Sequence, residues 1–129
     1  MNFTQIKESC LYVDDLDKAH EFYHEKLGMP LISKVEGRHI FFRCGSSVLL
    51  CFNPEATKEE KNLPLHYASG KQHLAFEVSQ KDYEKTLERV KEKGIWITHF
   101  QKWKGDLESF YFEDPFGHVL EIVPKGIWE

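Results

Sequence analysis

The feature that most constrains this 129-residue chain is that its second half repeats the first. Glu8 precedes Val13 by five residues as His73 precedes Val78, and Gly28 follows Glu8 by 20 residues while Gly94 follows His73 by 21. Further along, a constant offset of 70 pairs Phe42 with Phe112, Leu50 with Leu120 and Cys51 with Glu121. Agreement at so many positions marks a duplicated supersecondary unit. At 15.2 kDa the chain has the usual length of one domain, so the two copies are expected to share a core instead of folding as two independent domains.

Each copy reads as βαβββ. In the first, a strand over 9–13 leads to Asp14 and Asp15, whose side chains suit a helix N-cap, and Leu16, Ala19, Phe22, Tyr23 and Leu27 follow at helical spacing up to Gly28. Strand-like runs at 31–35, 39–44 and 48–52 complete it. In the second, a strand over 73–78 precedes a helix capped by Ser79 with Tyr83, Leu87 and Val90 on one face, then strands at 95–100, 109–112 and 119–123. The sequence therefore predicts an α+β fold of two paired βαβββ modules forming one curved mixed sheet around a central cleft. Module one spans about residues 5–54, a polar linker 55–71 and module two about 72–124, within a single domain.

Composition excludes several classes of function. A hydrophobic fraction of 41% with 14% aromatics predicts a packed core, and 17 basic residues scattered among 21 acidic ones leave a net charge of −4 and no footprint for nucleic acid. No apolar run is long enough to cross a bilayer and the N-terminus lacks a leader pattern, so the expected location is cytoplasmic. Cys10, Cys44 and Cys51 are odd in number and without CxxC spacing, as expected of reduced thiols.

Strand alternation then nominates side chains. Leu74, Phe76 and Val78 form a face suited to a helix, leaving His73, Ala75 and Glu77 on the other, and in the first strand Glu8, Cys10 and Tyr12 share the face opposite Leu11 and Val13. Glu121 lies in the middle of Val-Leu-Glu-Ile-Val, where a buried carboxylate needs a proton, an ion pair or a bound cation. If the first strands of the two repeats converge, Glu8, His73 and Glu121 come together. Two carboxylates and an imidazole suit Mn, Fe, Ni, Co or Zn and leave coordination positions open.

The segments Tyr-Val-Asp-Asp-Leu-Asp-Lys-Ala-His-Glu-Phe-Tyr-His-Glu-Lys-Leu-Gly-Met (12–29), Gln-His-Leu-Ala-Phe-Glu-Val (72–78) and Tyr-Phe-Glu-Asp-Pro-Phe-Gly-His-Val-Leu-Glu-Ile-Val (111–123) resemble the vicinal oxygen chelate superfamily of glyoxalases, fosfomycin-resistance transferases, extradiol dioxygenases and bleomycin-resistance proteins. The resemblance implies paired modules, homodimers, a divalent metal ion, and His73 and Glu121 at ligand positions. Three departures stand out: Glu8 where the family usually has His, Cys51 at a position that carries a carboxylate in glyoxalase I, and His118 where Asn is usual.

The resulting expectation is a metal-dependent lyase, dioxygenase or transferase acting on a small oxygen-bearing substrate, with Glu8 or Glu121 alternating between ligand and catalytic base. The rival expectation is a metal-free module that sequesters a small molecule. Tyr12, Arg43, Cys51, Trp103 and Tyr111 are the expected pocket residues. Several of the nominated residues also have a plainer reading: Glu8 as a solvated strand end, Cys51 as a core thiol, Trp103 as cover for a core edge, and Glu121 as the partner of Arg43 or Lys102.

Overall fold

The computed structural model describes residues 1–129, and the chain divides into two compact units, Met1–Gly70 and Lys71–Glu129. The first runs β1 (Glu8–Tyr12), α1 (Leu16–Ala19), a π-helical segment His20–Lys26, β2 (Leu31–Val35), β3 (His39–Cys44), β4 (Ser47–Phe52) and a short α2 (Pro54–Thr57). The second runs β5 (His73–Val78), a 3-10 turn Gln80–Asp82, α3 (Tyr83–Glu92), β6 (Ile97–Lys102), β7 (Glu108–Glu113) and β8 (Val119–Pro124). Both are βαβββ modules, and no helix is long and apolar enough to cross a membrane.

The hydrogen-bonded strands make two four-stranded mixed sheets, ordered β1-β4-β3-β2 and β5-β8-β7-β6, in place of the one continuous sheet expected from the repeat. Connectivity explains this. In each module the first strand pairs parallel with the last, which also pairs antiparallel with the third, so four strands complete the ladder internally.

In the first unit Tyr23 packs on Phe42 with ring centroids 5.6 Å apart, which fixes the helix-side face of the sheet. Leu11, Ile40, Phe42 and Cys51 on that face are fully buried. The helix is α-helical only for its first turn, and the Leu27 N–H then reaches Phe22 O at 3.0 Å in the wider π pattern. In the second unit Tyr83 of α3 packs on Phe110, 5.6 Å between centroids, and Phe110, Phe112 and Leu120 are fully buried beneath it.

Three local expectations shift. Ile95 ends α3 by bonding Val90 O and is buried there, so β6 pairs only from Ile97 instead of from residue 95. Residues of the polar linker instead pack on the first module: Thr57, in the short α2 that Asn53 caps, is buried, and Glu60 pairs with Arg38 at 2.9 Å. The offset of 70 holds from β3 to β7 but becomes 71 from β4 to β8, because the β7–β8 turn is one residue longer than the β3–β4 turn: Arg43 pairs with Val48, and Glu113 with Val119. A one-residue slip along a strand exchanges its faces, so the structural counterpart of Glu121 is Leu50, not Cys51.

The longer turn is held by Asp114, whose Oδ1 accepts from the N–H groups of Phe116 at 2.9 Å and His118 at 2.8 Å, while Gly117 adopts φ +83°. Asp114→Ala strands both donors and is expected to cost about 1–3 kcal/mol, with Asp114→Asn costing less because an acceptor remains. Equal urea midpoints for the two variants would show that the carboxylate does not hold the turn.

Candidate functional site

The second sheet gathers its polar side chains on the face turned away from α3. Ladder partners point the same way, so Tyr111 lies beside Glu121, and His99 beside Tyr111. His73 stands at the start of β5 with its ring 6.1 Å from that of Tyr111, and His99 lies 5.7 Å from Tyr111 on the far side. A row His73, Glu121, Tyr111, His99 therefore crosses four neighbouring strands.

The His73 and Glu121 pair has a specific electronic arrangement. His73 Nδ1 lies 2.9 Å from Val119 O, a carbonyl that can only accept, so Nδ1 carries the proton. The other ring nitrogen, Nε2, is thereby turned toward Glu121 Oε2, 3.4 Å away. A carboxylate and an imidazole nitrogen so placed can share a proton or a metal ion. Glu121 side-chain exposure is 7% against 51% for His73, and Glu121 Oε1 is buried without a hydrogen-bond partner. An orphaned buried carboxylate oxygen beside an oriented imidazole nitrogen fits a divalent ion, and the backbone carbonyl on the other ring nitrogen is the support metal-bound histidines use. Within either unit no three His, Cys, Asp or Glu side chains gather into a metal-holding group.

The surroundings of the pair are also ordered. Burial first, and then the Glu121 carboxylate, push the Tyr111 hydroxyl above its ordinary value, which keeps it a donor. His118 is buried and its Nδ1 accepts the Gln72 N–H at 3.1 Å, while Val119 N–H bonds Gln72 O at 2.9 Å. The unusual histidine after the turn thus ties that turn to the residue preceding His73.

Glu8 opens β1 and is exposed, opposite Val48 in the ladder, as His73 is opposite Val119. The repeat equivalence of Glu8 and His73 is therefore a structural one. The first module is otherwise apolar at the corresponding places: Leu50 stands where β8 has Glu121, and Phe41 where β7 has Tyr111. Tyr12 and Cys10 share the face of Glu8. Burial and then Glu8 push the Cys10 thiol up, and burial and then Cys10 push up the Tyr12 hydroxyl.

The other expected pocket residues separate. Cys51 is a correction: it pairs with Ile40 on the helix side and is fully buried, so it lines no open face. Arg43 is exposed, and Lys102 pairs with Glu108 at 3.3 Å in place of Glu121. Arg38 is held by Glu60 and lies over the Phe52 ring at 5.7 Å. Trp103 donates from Nε1 to Ser109 Oγ at 2.9 Å, on the same face of β7 as Tyr111.

His99 and Ser109 were not nominated by sequence spacing. Simple alternation puts Ile97 and His99 on one face, but β6 has a bulge between them, so Ile97 pairs with Phe112 and His99 with Tyr111. β2 carries the matching bulge between Leu31 and Ser33. The signal available in sequence was Ser109 itself, a small polar residue opening the aromatic run Phe110-Tyr111-Phe112.

Comparison with known proteins identifies the family. A profile of the Glyoxalase/Bleomycin resistance protein/Dioxygenase superfamily matches residues 5–122. Glutathione transferase FosA of Serratia marcescens is 33% identical over 117 residues, covering 91% of this chain and 78% of that protein. Metallothiol transferase FosB of Staphylococcus epidermidis is 29% identical over 129 residues, covering 95% and 82%. The crystal structure of lactoylglutathione lyase from Agrobacterium tumefaciens superposes with a TM-score of 0.93 at 30% identity, over 99% of this chain and 98% of that one. With the match spanning nearly its whole length, the chain belongs to the Glyoxalase/Bleomycin resistance protein/Dioxygenase superfamily.

Proposed function

We propose that this protein is a divalent-metal-dependent enzyme acting on a small oxygen-bearing substrate, with His73 and Glu121 as two protein ligands and Glu8 as the third. The observation that carries the reading is the orphaned Glu121 Oε1 beside the oriented Nε2 of His73. Glu8 enters through its structural equivalence to His73. Among reaction types a transferase or lyase is favoured, because the relatives' names, glutathione transferase, metallothiol transferase and lactoylglutathione lyase, all describe thiols or thiol adducts. A homodimer is proposed with it, and the exposed Leu31, Ile32 and Val35 along edge strand β2 suit such an association.

A divalent ion held by these residues supplies Lewis-acid charge to a substrate oxygen. The chain's own contribution is to hold the imidazole in one tautomer through Val119, to keep the Glu121 carboxylate out of water, and to present the Tyr111 hydroxyl beside it. A carboxylate so placed can exchange ligation for proton abstraction, the role proposed for Glu8 or Glu121 as catalytic base.

Elemental analysis after separate supply of Mn, Fe, Co, Ni and Zn tests the reading. Near-stoichiometric metal is expected in the parent. Affinity should fall more than about 100-fold in His73→Ala and Glu121→Ala, since loss even of an outer-shell partner costs 10–100-fold. A folded parent that takes up no metal from any supply would point instead to a metal-free sequestering module.

A further inference from the structure

The helical segment of the first unit carries two histidines that take no part in the proposed metal pair. His20 and His24 stand four residues apart in the π-helical stretch His20–Lys26, and both are part-exposed while Phe22 and Tyr23 between them are buried. Their ring centres lie 5.0 Å apart with the planes inclined at 31°. Two imidazoles bound to one ion, through nitrogens at about 2.0–2.1 Å and roughly 90–110° apart, hold their ring centres about 4.5–5.2 Å from one another. The pair is therefore already spaced for chelation.

The other contacts of the two rings favour it. His24 Nδ1 lies 2.7 Å from Met29 O, which can only accept, so Nδ1 carries the proton and the neutral ring keeps its lone pair on Nε2. The turn that ends the helix brings that carbonyl back: Gly28 adopts φ +76°, its N–H bonds His24 O at 2.9 Å, and Met29 N–H bonds Tyr23 O at 2.9 Å. At His20 the π winding matters. In an α-helix the neighbours of a side chain are three and four residues on, whereas the wider π turn also brings the fifth close, and Glu25 Oε1 lies 3.8 Å from His20 Nδ1. A carbonyl behind one ring and a carboxylate behind the other are the supports that metal-bound histidines use.

We propose that His20 and His24 form a bidentate surface site for a late divalent transition ion, Cu²⁺ before Ni²⁺ or Zn²⁺, sharing no ligand with His73 and Glu121. Two imidazole nitrogens completed by water suit the tetragonal geometry of Cu²⁺, which also heads the affinity series for such donors. Once one ring holds the ion the second binds within the same molecule, a gain of about 100-fold over a single imidazole. With only two protein ligands the ion exchanges readily and is removed by desalting, so elemental analysis of desalted protein reads the other centre alone.

Titration of Cu²⁺ into the full chain tests this, with Glu121→Leu taking the other pair out of the reading. Substoichiometric Cu²⁺ should broaden the ¹H–¹⁵N signals of the His20–Lys26 segment first, and the electron paramagnetic resonance spectrum should show coupling to two imidazole nitrogens. His20→Gln and His24→Gln should each lower Cu²⁺ affinity about 100-fold. His20→Gln leaves the His24 bond to Met29 O intact, so it tests the site even if loss of the His24 ring loosens the end of the helix. Broadening that begins elsewhere, at the N-terminal amine or around His66 or His99, would overturn the proposal, as would a Cu²⁺ affinity indifferent to His20→Gln.

Discussion

Glu121→Leu is expected to make the protein more stable and to abolish its metal binding. Glu121 is buried between apolar neighbours on β8, with one carboxylate oxygen lacking any partner and the other 3.4 Å from His73 Nε2. An unsatisfied buried polar atom costs about 1–3 kcal/mol, and a leucine removes that cost while adding apolar contact. The first module already contains the outcome, since Leu50 occupies the corresponding place and is buried. For a chain of this length the gain corresponds to a rise in melting temperature on the order of 5 °C. The measurement is a thermal melt of metal-free parent and variant, followed by metal analysis of both. A lower melting temperature in the variant would mean that the carboxylate already has what it needs, and would remove the main support for a cation site.

The second large effect concerns the scaffold beneath the site. Phe110→Ala is expected to cost about 3–5 kcal/mol, because a fully buried aromatic ring is replaced by a cavity in a close-packed core. Phe110 has no exposed surface, touches Tyr83 of α3 and Phe112, and opposes Ile122 in the ladder. Its neighbour along β7, Tyr111, is the ladder partner of Glu121, so any lasting shift of this strand reaches the site. Phe100→Ala provides the comparison: its side chain is 43% exposed, and the expected change is within about 0.5 kcal/mol. Urea denaturation of both variants distinguishes the cases, and a loss below 1 kcal/mol for Phe110→Ala would show that the core collapses readily around the gap.

Much of this architecture was legible in the chain itself. The βαβββ order emerged because helices and strands carry different apolar periods, and because Gly28 and Gly94 punctuate both copies alike. His73 emerged because alternation sets it opposite the apolar face of its strand, and Glu121 because it is a carboxylate inside an apolar run, on two strands that prove to be neighbours. What alternation does not carry is any break in its own count. The extra residue in the β7–β8 turn displaced Cys51 onto Glu121 in an ungapped alignment, and the bulge in β6 concealed that His99 faces Tyr111. The role of His118 was hidden for another reason: its partner, the Gln72 N–H, lies 46 positions away in sequence.

The strand order also has a consequence for how the protein is made. In each unit the fourth strand lies inside the sheet, between the first and the third, and β8 leaves the ribosome after the other strands of its unit. Until it arrives, β5 has no neighbour and β7 is paired on one side only, so the second sheet cannot close during synthesis. The pairings that close the sheet are therefore the ones that set Glu121 between Ala75 and Tyr111, so the least favourable group to bury lies on the strand its unit needs to complete the ladder.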